Sequence, residues 1–249
     1  MNKLMSAVIA VAAVAVAAPA VAADLRAPVY KSAPPPAPVF SWTGCYLGGN
    51  IGGASAYKSF SDPLGRYTPF VPGQDLGYHN AAGFVGGGQV GCDYQVGSWV
   101  IGAQGMFNWA NQVNGDNLQN NALVYNQTSI PWVTTATARL GYTGTPNLLI
   151  YVKGGGAWVG DNYSSSSIAG TLLSTADVNR TGWTVGGGFE QAFAGGWSWF
   201  AEYNYLNFGT NTVTFATNTA PAATFPIDVQ QDMHMILVGV NYRFSTGRY

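Results

Sequence analysis

Few residues of this 249-residue chain carry reactive side chains: two His, two Cys, ten Lys or Arg and eleven Asp or Glu. His79 and His234 are far apart in sequence, and neither belongs to a His/Cys/Asp spacing that holds a metal. A haem site would need an axial ligand, and His79 is the one fair candidate, although its position at a loop end reads as a solvated His. Hydrolysis or acyl transfer would need a Ser/His pair with a carboxylate on one wall. Neither His falls on an inward-facing position, with His234 on the apolar phase near a rim. Gly86-Gly87-Gly88-Gln89-Val90-Gly91 satisfies the GxGxxG pattern formally, but no helix follows it and no βαβ unit surrounds it. The expectation is no enzyme, no metal and no cofactor. No basic stripe exists for nucleic acid either: without Lys3, nine bases face eleven acids.

The elements that hold these residues follow from composition. Charged residues make up 8% of the chain, against roughly 25% in an average soluble domain. Aromatics make up 14%, and Gly accounts for 33 residues. A surface so poor in charge is not made for water. Yet mean hydropathy is only +0.09, too low for a bundle of membrane helices. A lipid-facing β-barrel, apolar outside and polar inside, satisfies both observations.

Residues 1–23 read as a secretory leader: Lys3, then the apolar stretch Leu4–Ala18, Pro19, and small residues for cleavage at Ala20–Ala23. Residues 24–41, with five prolines, read as an extended periplasmic linker. From Trp42 the chain falls into eight runs: Trp42–Ala56, Ala81–Gln95, Trp99–Trp109, Ile130–Thr143, Leu148–Gly160, Arg180–Phe193, Trp197–Gly209 and Val229–Phe244. Each is long enough for a tilted membrane strand of about 9–11 residues. Tight turns at 97–98, 144–147 and 194–196 alternate with polar stretches at 57–80, 110–129, 161–179 and 210–228, which read as strand-free external loops. The expected fold is all-β, an eight-stranded antiparallel transmembrane up-and-down barrel over 42–244 with a short tail at 245–249. Both barrel ends would be periplasmic.

Alternation assigns the faces. Trp99, Ile101, Ala103, Phe107 and Trp109 share one side of the third run, and Val100, Gly102, Gln104, Met106 and Asn108 share the other. In the last run Ile236, Val238, Val240, Tyr242 and Phe244 alternate with Leu237, Gly239, Asn241 and Arg243. The apolar set is assigned to lipid. Aromatics gather in two interfacial girdles: Trp42, Tyr94, Trp99, Tyr142, Trp197, Tyr242 and Phe244 near the turns, and Tyr57, Trp109, Trp132, Trp158, Trp183 and Phe208 near the loops. The Gly triplets at 86–88, 154–156 and 186–188 fit strands crowding a narrow lumen.

The stretch Phe40-Ser41-Trp42-Thr43-Gly44-Cys45-Tyr46-Leu47-Gly48-Gly49-Asn50-Ile51-Gly52-Gly53 resembles the opening strand of the small outer-membrane immunogenic, or porin-family, β-barrel proteins of alphaproteobacteria. So do Gly86–Gly91 with Asp93-Tyr94-Gln95, Ala138–Tyr142, Thr181–Gly186, and Ala201-Glu202-Tyr203 with Tyr205. The resemblance implies an eight-stranded barrel of OmpA-type architecture in the outer membrane. It implies little about activity, since members are described variously as porin, surface antigen and haem binder. The chain departs from the family pattern at Cys45 and Cys92, where aromatics are expected, and at inward Phe200, where a base is expected. Gly239, Tyr242 and Phe244 resemble the terminal signal read by the barrel-assembly machinery, although Phe244 is not terminal.

Two site expectations follow. If Trp42 faces Gln95, Cys45 faces Cys92, and an exported chain would oxidise them to a disulfide. Face assignment turns Arg139, Lys153, Glu190 and Glu202 inward at one depth, two bases against two acids, with Asp93 and Arg243 nearer the periplasmic rim. Eight strands enclose a space just wide enough for side chains. The expected function is therefore a structural envelope barrel with a closed or very narrow lumen. A small porin, or surface loops binding a host factor or haem, is the alternative. The expected partners are outer-membrane lipid, lipopolysaccharide and the assembly machinery, with a monomer favoured.

Overall fold

The computed structural model describes residues 40–65, 71–118, 124–167, 169–218 and 224–244. The expected leader, all but the last two residues of the linker, and the tail lie outside them. Eight strands are present among the described residues: β1 Gly44–Asp62, β2 Gln74–Val96, β3 Trp99–Leu118, β4 Val124–Thr145, β5 Leu148–Ser167, β6 Leu172–Ala192, β7 Trp197–Thr217 and β8 Thr224–Phe244. They form one closed barrel in chain order. Every neighbour pair is antiparallel, and β1 pairs with β8, from Cys45↔Phe244 to Ser61↔Asp228, to close the ring. Closure leaves no sheet edge, and the backbone polar groups of the wall pair chiefly with neighbouring strands, as a lipid environment demands.

Alternation is visible along the walls. Trp99, Ile101 and Trp109 are exposed outside, while Val100, Met106 and Asn108 are buried inside. The same holds at Ile236, Val238 and Val240 against Leu237 and Asn241. The exterior is apolar because its solvent is lipid.

The strands run well past the expected run ends. Residues 57–62 and 74–80, expected to be free of strand, belong to β1 and β2, and most of 110–129, 161–179 and 210–228 is strand as well. The reason is a change of solvent along each strand. Beyond Trp109, Trp158 and Trp183 the outer face becomes polar, while the inner face carries Phe60, Leu76, Val113, Tyr163, Val213, Phe215 and Ile227, all buried. The alternation persists with its sign reversed, apolar in and polar out, as in a soluble barrel. Some 20 residues at about 3.3 Å each, tilted about 40°, make a wall roughly 50 Å tall, about twice the height of the apolar band.

Two girdle residues are inside the barrel. Trp42 is fully buried, because it precedes β1 and folds across the turn end of the lumen. Phe208 is buried because it continues the inward phase of Phe200, Glu202, Asn204 and Leu206; just beyond it the register of β7 and β8 shifts between Asn207 and Thr210, where Gly209 takes φ 62°, and Val213 and Phe215 become the inward residues. A bulge of this kind moves the following side chains to the other face.

Candidate functional site: a filled lumen

Ten Lys, Arg, Asp and Glu side chains among the described residues are buried inside the barrel: Lys58, Arg139, Lys153, Arg180 and Arg243, with Asp62, Asp93, Asp161, Glu190 and Glu202. Bases and acids balance.

Nearest the short turns, Trp42 closes the lumen. Its backbone N–H donates to Gln95 Oε1 at 2.9 Å, and its indole Nε1–H donates to the Pro146 carbonyl at 3.1 Å on the β4–β5 turn. Arg243 holds it from above, donating to the Trp42 carbonyl at 2.6 Å, its guanidinium 5.4 Å from the indole ring.

Directly above lies a ring of alternating charge on the even strands. Arg139 on β4 donates through Nε to Asp93 Oδ1 on β2 at 2.7 Å, and through Nη1 to Glu190 Oε2 on β6 at 3.0 Å. Its Nη2 also bonds Asp93 Oδ2, making that contact bidentate. Arg243 on β8 donates to Asp93 Oδ2 at 2.8 Å and lies 3.8 Å from Glu190 Oε1. Glu190 Oε1 also accepts from Ser198 Oγ at 2.5 Å and Asn241 Nδ2 at 3.0 Å. Tyr46 lies between the two guanidiniums, each 4.9 Å from its ring.

Gly102 makes this ring geometrically possible. Asp93 pairs with Gly102 and Gly102 with Arg139, so acid and base sit on one ladder row with a strand between them. A Cβ on Gly102 would fall 1.9 Å from Asp93 Oδ1. The missing side chain is the gap across which the pair meets.

Lys153 and Glu202 form a separate pair on odd strands, 2.6 Å apart. Lys153 also donates to Gln104 Oε1 at 3.0 Å, and Glu202 accepts from the Tyr151 hydroxyl at 2.8 Å. The expectation of one four-member cluster is therefore corrected: Arg139 and Glu190 take the rim residues Asp93 and Arg243 as partners. Arg139 and Lys153 are direct cross-strand neighbours. Like charges so placed repel, so each turns to a different acid.

An apolar layer follows, including Phe200, Met106, Leu206, Met233, Met235 and Leu237. Above it lies a second ion cluster. Lys58 on β1 reaches Asp161 on the opposite wall at 2.7 Å, and Arg180 Nε lies 3.3 Å from the same carboxylate. The Tyr163 hydroxyl is 3.1 Å from Lys58 Nζ. Sequence reasoning missed this cluster because Lys58 and Asp161 fell in expected loops. The available signal was parity: Lys58 continues the inward phase Tyr46, Asn50, Ala54, and Asp161 continues Tyr151, Lys153, Ala157.

His79 also corrects an expectation. It is buried in the lumen, 3.0 Å from Thr128 Oγ1 and stacked on Phe60, because β2 begins before it. His234 faces outward, 2.6 Å from the Tyr203 hydroxyl. Cys45 and Cys92 are opposite one another in register and disulfide-bonded on the outer face. Tyr242 and Phe244 face outward, with ring centroids 5.1 Å apart, and Gly239 faces the Phe200 ring.

Proteins similar to this chain are outer-membrane proteins. The model of the outer membrane protein beta-barrel domain matches residues 6–244. The 31 kDa outer-membrane immunogenic protein of Brucella melitensis is 32% identical over 225 residues, covering 86% of this chain and 89% of that one. Its counterpart in Brucella suis matches equally. Among solved structures, the outer membrane protein OprG of Pseudomonas aeruginosa is similar over 82% of this chain and 97% of that one, at 13% identity and a TM-score of 0.47. The chain belongs to the outer-membrane β-barrel family, in the company of immunogenic surface proteins rather than of an enzyme family, and its place is the cell outer membrane.

Proposed function

We propose that this protein is a closed surface barrel of the outer membrane, with an envelope role and no continuous ion path. The observation that carries this reading is the Asp93–Arg139–Glu190–Arg243 ring, capped by Trp42. Each ring member is held by at least two partners. Buried ions so paired are costly to separate, because losing one partner costs about 3–5 kcal/mol. A diffusion channel would need a water column through the same space. In this reading residues 1–23 are removed on export, the short turns are periplasmic, and the strand extensions stand outside the cell. Gly239, Tyr242 and Phe244 serve the assembly machinery, and the barrel works as a monomer without catalytic chemistry.

Liposome swelling tests the proposal. Vesicles holding the folded protein should swell in small sugars no faster than empty vesicles. The double variant Glu190→Ala, Glu202→Ala should swell faster or unfold at lower temperature. Swelling by wild type at porin-like rates contradicts closure.

A further inference from the structure

At the long-loop end, above the Lys58–Asp161 pair, the lumen opens into a pocket of about 180 Å³. Its wall is Phe60, Leu76, Tyr163, Phe215, Phe225 and Ile227, with the Thr128 and Ser174 side chains among the polar groups at its side. These apolar groups do not fill the space between them, although close packing is the rule in protein interiors. A dry cavity of about 150 Å³ lined by Leu, Ile and Phe takes up a benzene-sized molecule. This pocket is slightly larger and offers hydrogen-bonding groups as well.

Charge sets the class of occupant. Among the described residues, the ionised side chains on the outside of the wall are all aspartates: Asp75, Asp116, Asp177, Asp228 and Asp232. The described bases all point inward. An anion approaching the described part of this wall from outside therefore meets negative charge. A cation that passes the rim meets Lys58 and Arg180 under the floor, with one carboxylate, Asp161, between them, while Asp62, the other buried carboxylate of this half among the described residues, accepts from the Leu64 backbone N–H at 3.0 Å. Lys58 Nζ stands 4.5 Å from the centre of the Tyr163 ring, which itself lines the pocket. Neither charge is welcome, and a neutral molecule escapes both costs.

The geometry points to a binding site for a small neutral aromatic molecule, of single-ring size and bearing one hydroxyl or carbonyl, at the outward mouth of the barrel. The ring lies among Phe60, Phe215 and Ile227, and its polar group meets Thr128 or Ser174. The site is a dead end: the Lys58–Asp161 pair and the apolar layer lie beneath it. This inference does not depend on closure at the turn end, because the pocket belongs to the strand extensions alone.

Three probes of one size test it: benzyl alcohol, benzoate and benzylamine, titrated against full-length protein in nanodiscs with methyl NMR of Leu76 and Ile227. Benzyl alcohol should shift these methyl signals saturably, and the two charged probes should bind at least tenfold more weakly. Ile227→Trp, which fills the pocket, should weaken benzyl alcohol at least tenfold while the folded band on unheated gels is kept. If that variant does not fold, Ser174→Phe takes its place from the pocket's polar side. Absence of a saturable shift in wild type, equal binding of all three probes, or undiminished binding in a folded filled variant would overturn the assignment.

Discussion

At the scale of single residues, two glycines and one carboxylate govern the lumen. Gly102 leaves the space in which Asp93 and Arg139 meet. Gly102→Ala should therefore break that contact rather than merely crowd it, lowering stability in urea titrations by about 3 kcal/mol. A midpoint equal to wild type would show that the ring tolerates a wider spacing. Gly239 is in similar contact with Phe200, whose ring carbons would lie 2.6 Å from an added Cβ. That gives Gly239 a packing reason beside its resemblance to an assembly signal. Gly239→Ala should cost about 1–3 kcal/mol in folded protein, and Phe200→Leu in the same chain should recover part of it. Asp161 is the sole carboxylate shown between Lys58 and Arg180 among the described residues. Asp161→Asn leaves two buried bases with no acid between them, so it should destabilise by about 3–5 kcal/mol. Lys58→Met should do less harm, since Asp161 keeps Arg180. Thermal melts that rank the two variants the other way would contradict the pairing.

At the scale of elements, the inward and outward phases of the eight strands were legible in the sequence, because period-two alternation is strict where one face meets lipid. Strand ends were not legible. Above the membrane both sides of the wall change character, and Tyr163, Val213 and Phe215 read as scattered apolar residues in polar loops when only lipid-facing alternation is sought. Trp42 shows a second limit: an aromatic at a strand start resembles a girdle residue until the chain before the strand is known to fold inward. The register of the first hairpin was legible once Trp42 was set to face Gln95, and it placed Cys45 opposite Cys92. The lumen charges were legible as inward-facing, but not their partners, since pairing across a barrel depends on which intervening position is a glycine. The disulfide closes 47 residues of chain. On chain-entropy grounds it contributes roughly 4 kcal/mol. Reduction, or Cys45→Ala with Cys92→Ala, should lower the unfolding midpoint in urea while leaving the barrel folded. An unchanged midpoint would mean that the rest of the wall already constrains this hairpin.

At the scale of the whole molecule, the barrel is two structures in series. The lower half meets lipid outside and encloses paired ions. The upper half meets water outside and encloses an apolar core with an outward pocket. Ion clusters sit on both sides of the apolar layer, and Trp42 covers the turn end. Each layer spans the lumen from wall to wall, as with Lys58 on β1 and Asp161 on β5. On the proposed reading, an eight-stranded barrel filled in this way is a membrane-anchored support for the walls that project outward, not a conduit. The most direct measurement is single-channel current through purified, folded protein in a planar bilayer, at symmetric salt and moderate voltage. Wild type should be electrically silent, and Glu190→Ala with Glu202→Ala should admit current or lose the folded barrel. Steady, voltage-independent conductance by wild type would contradict the closed lumen.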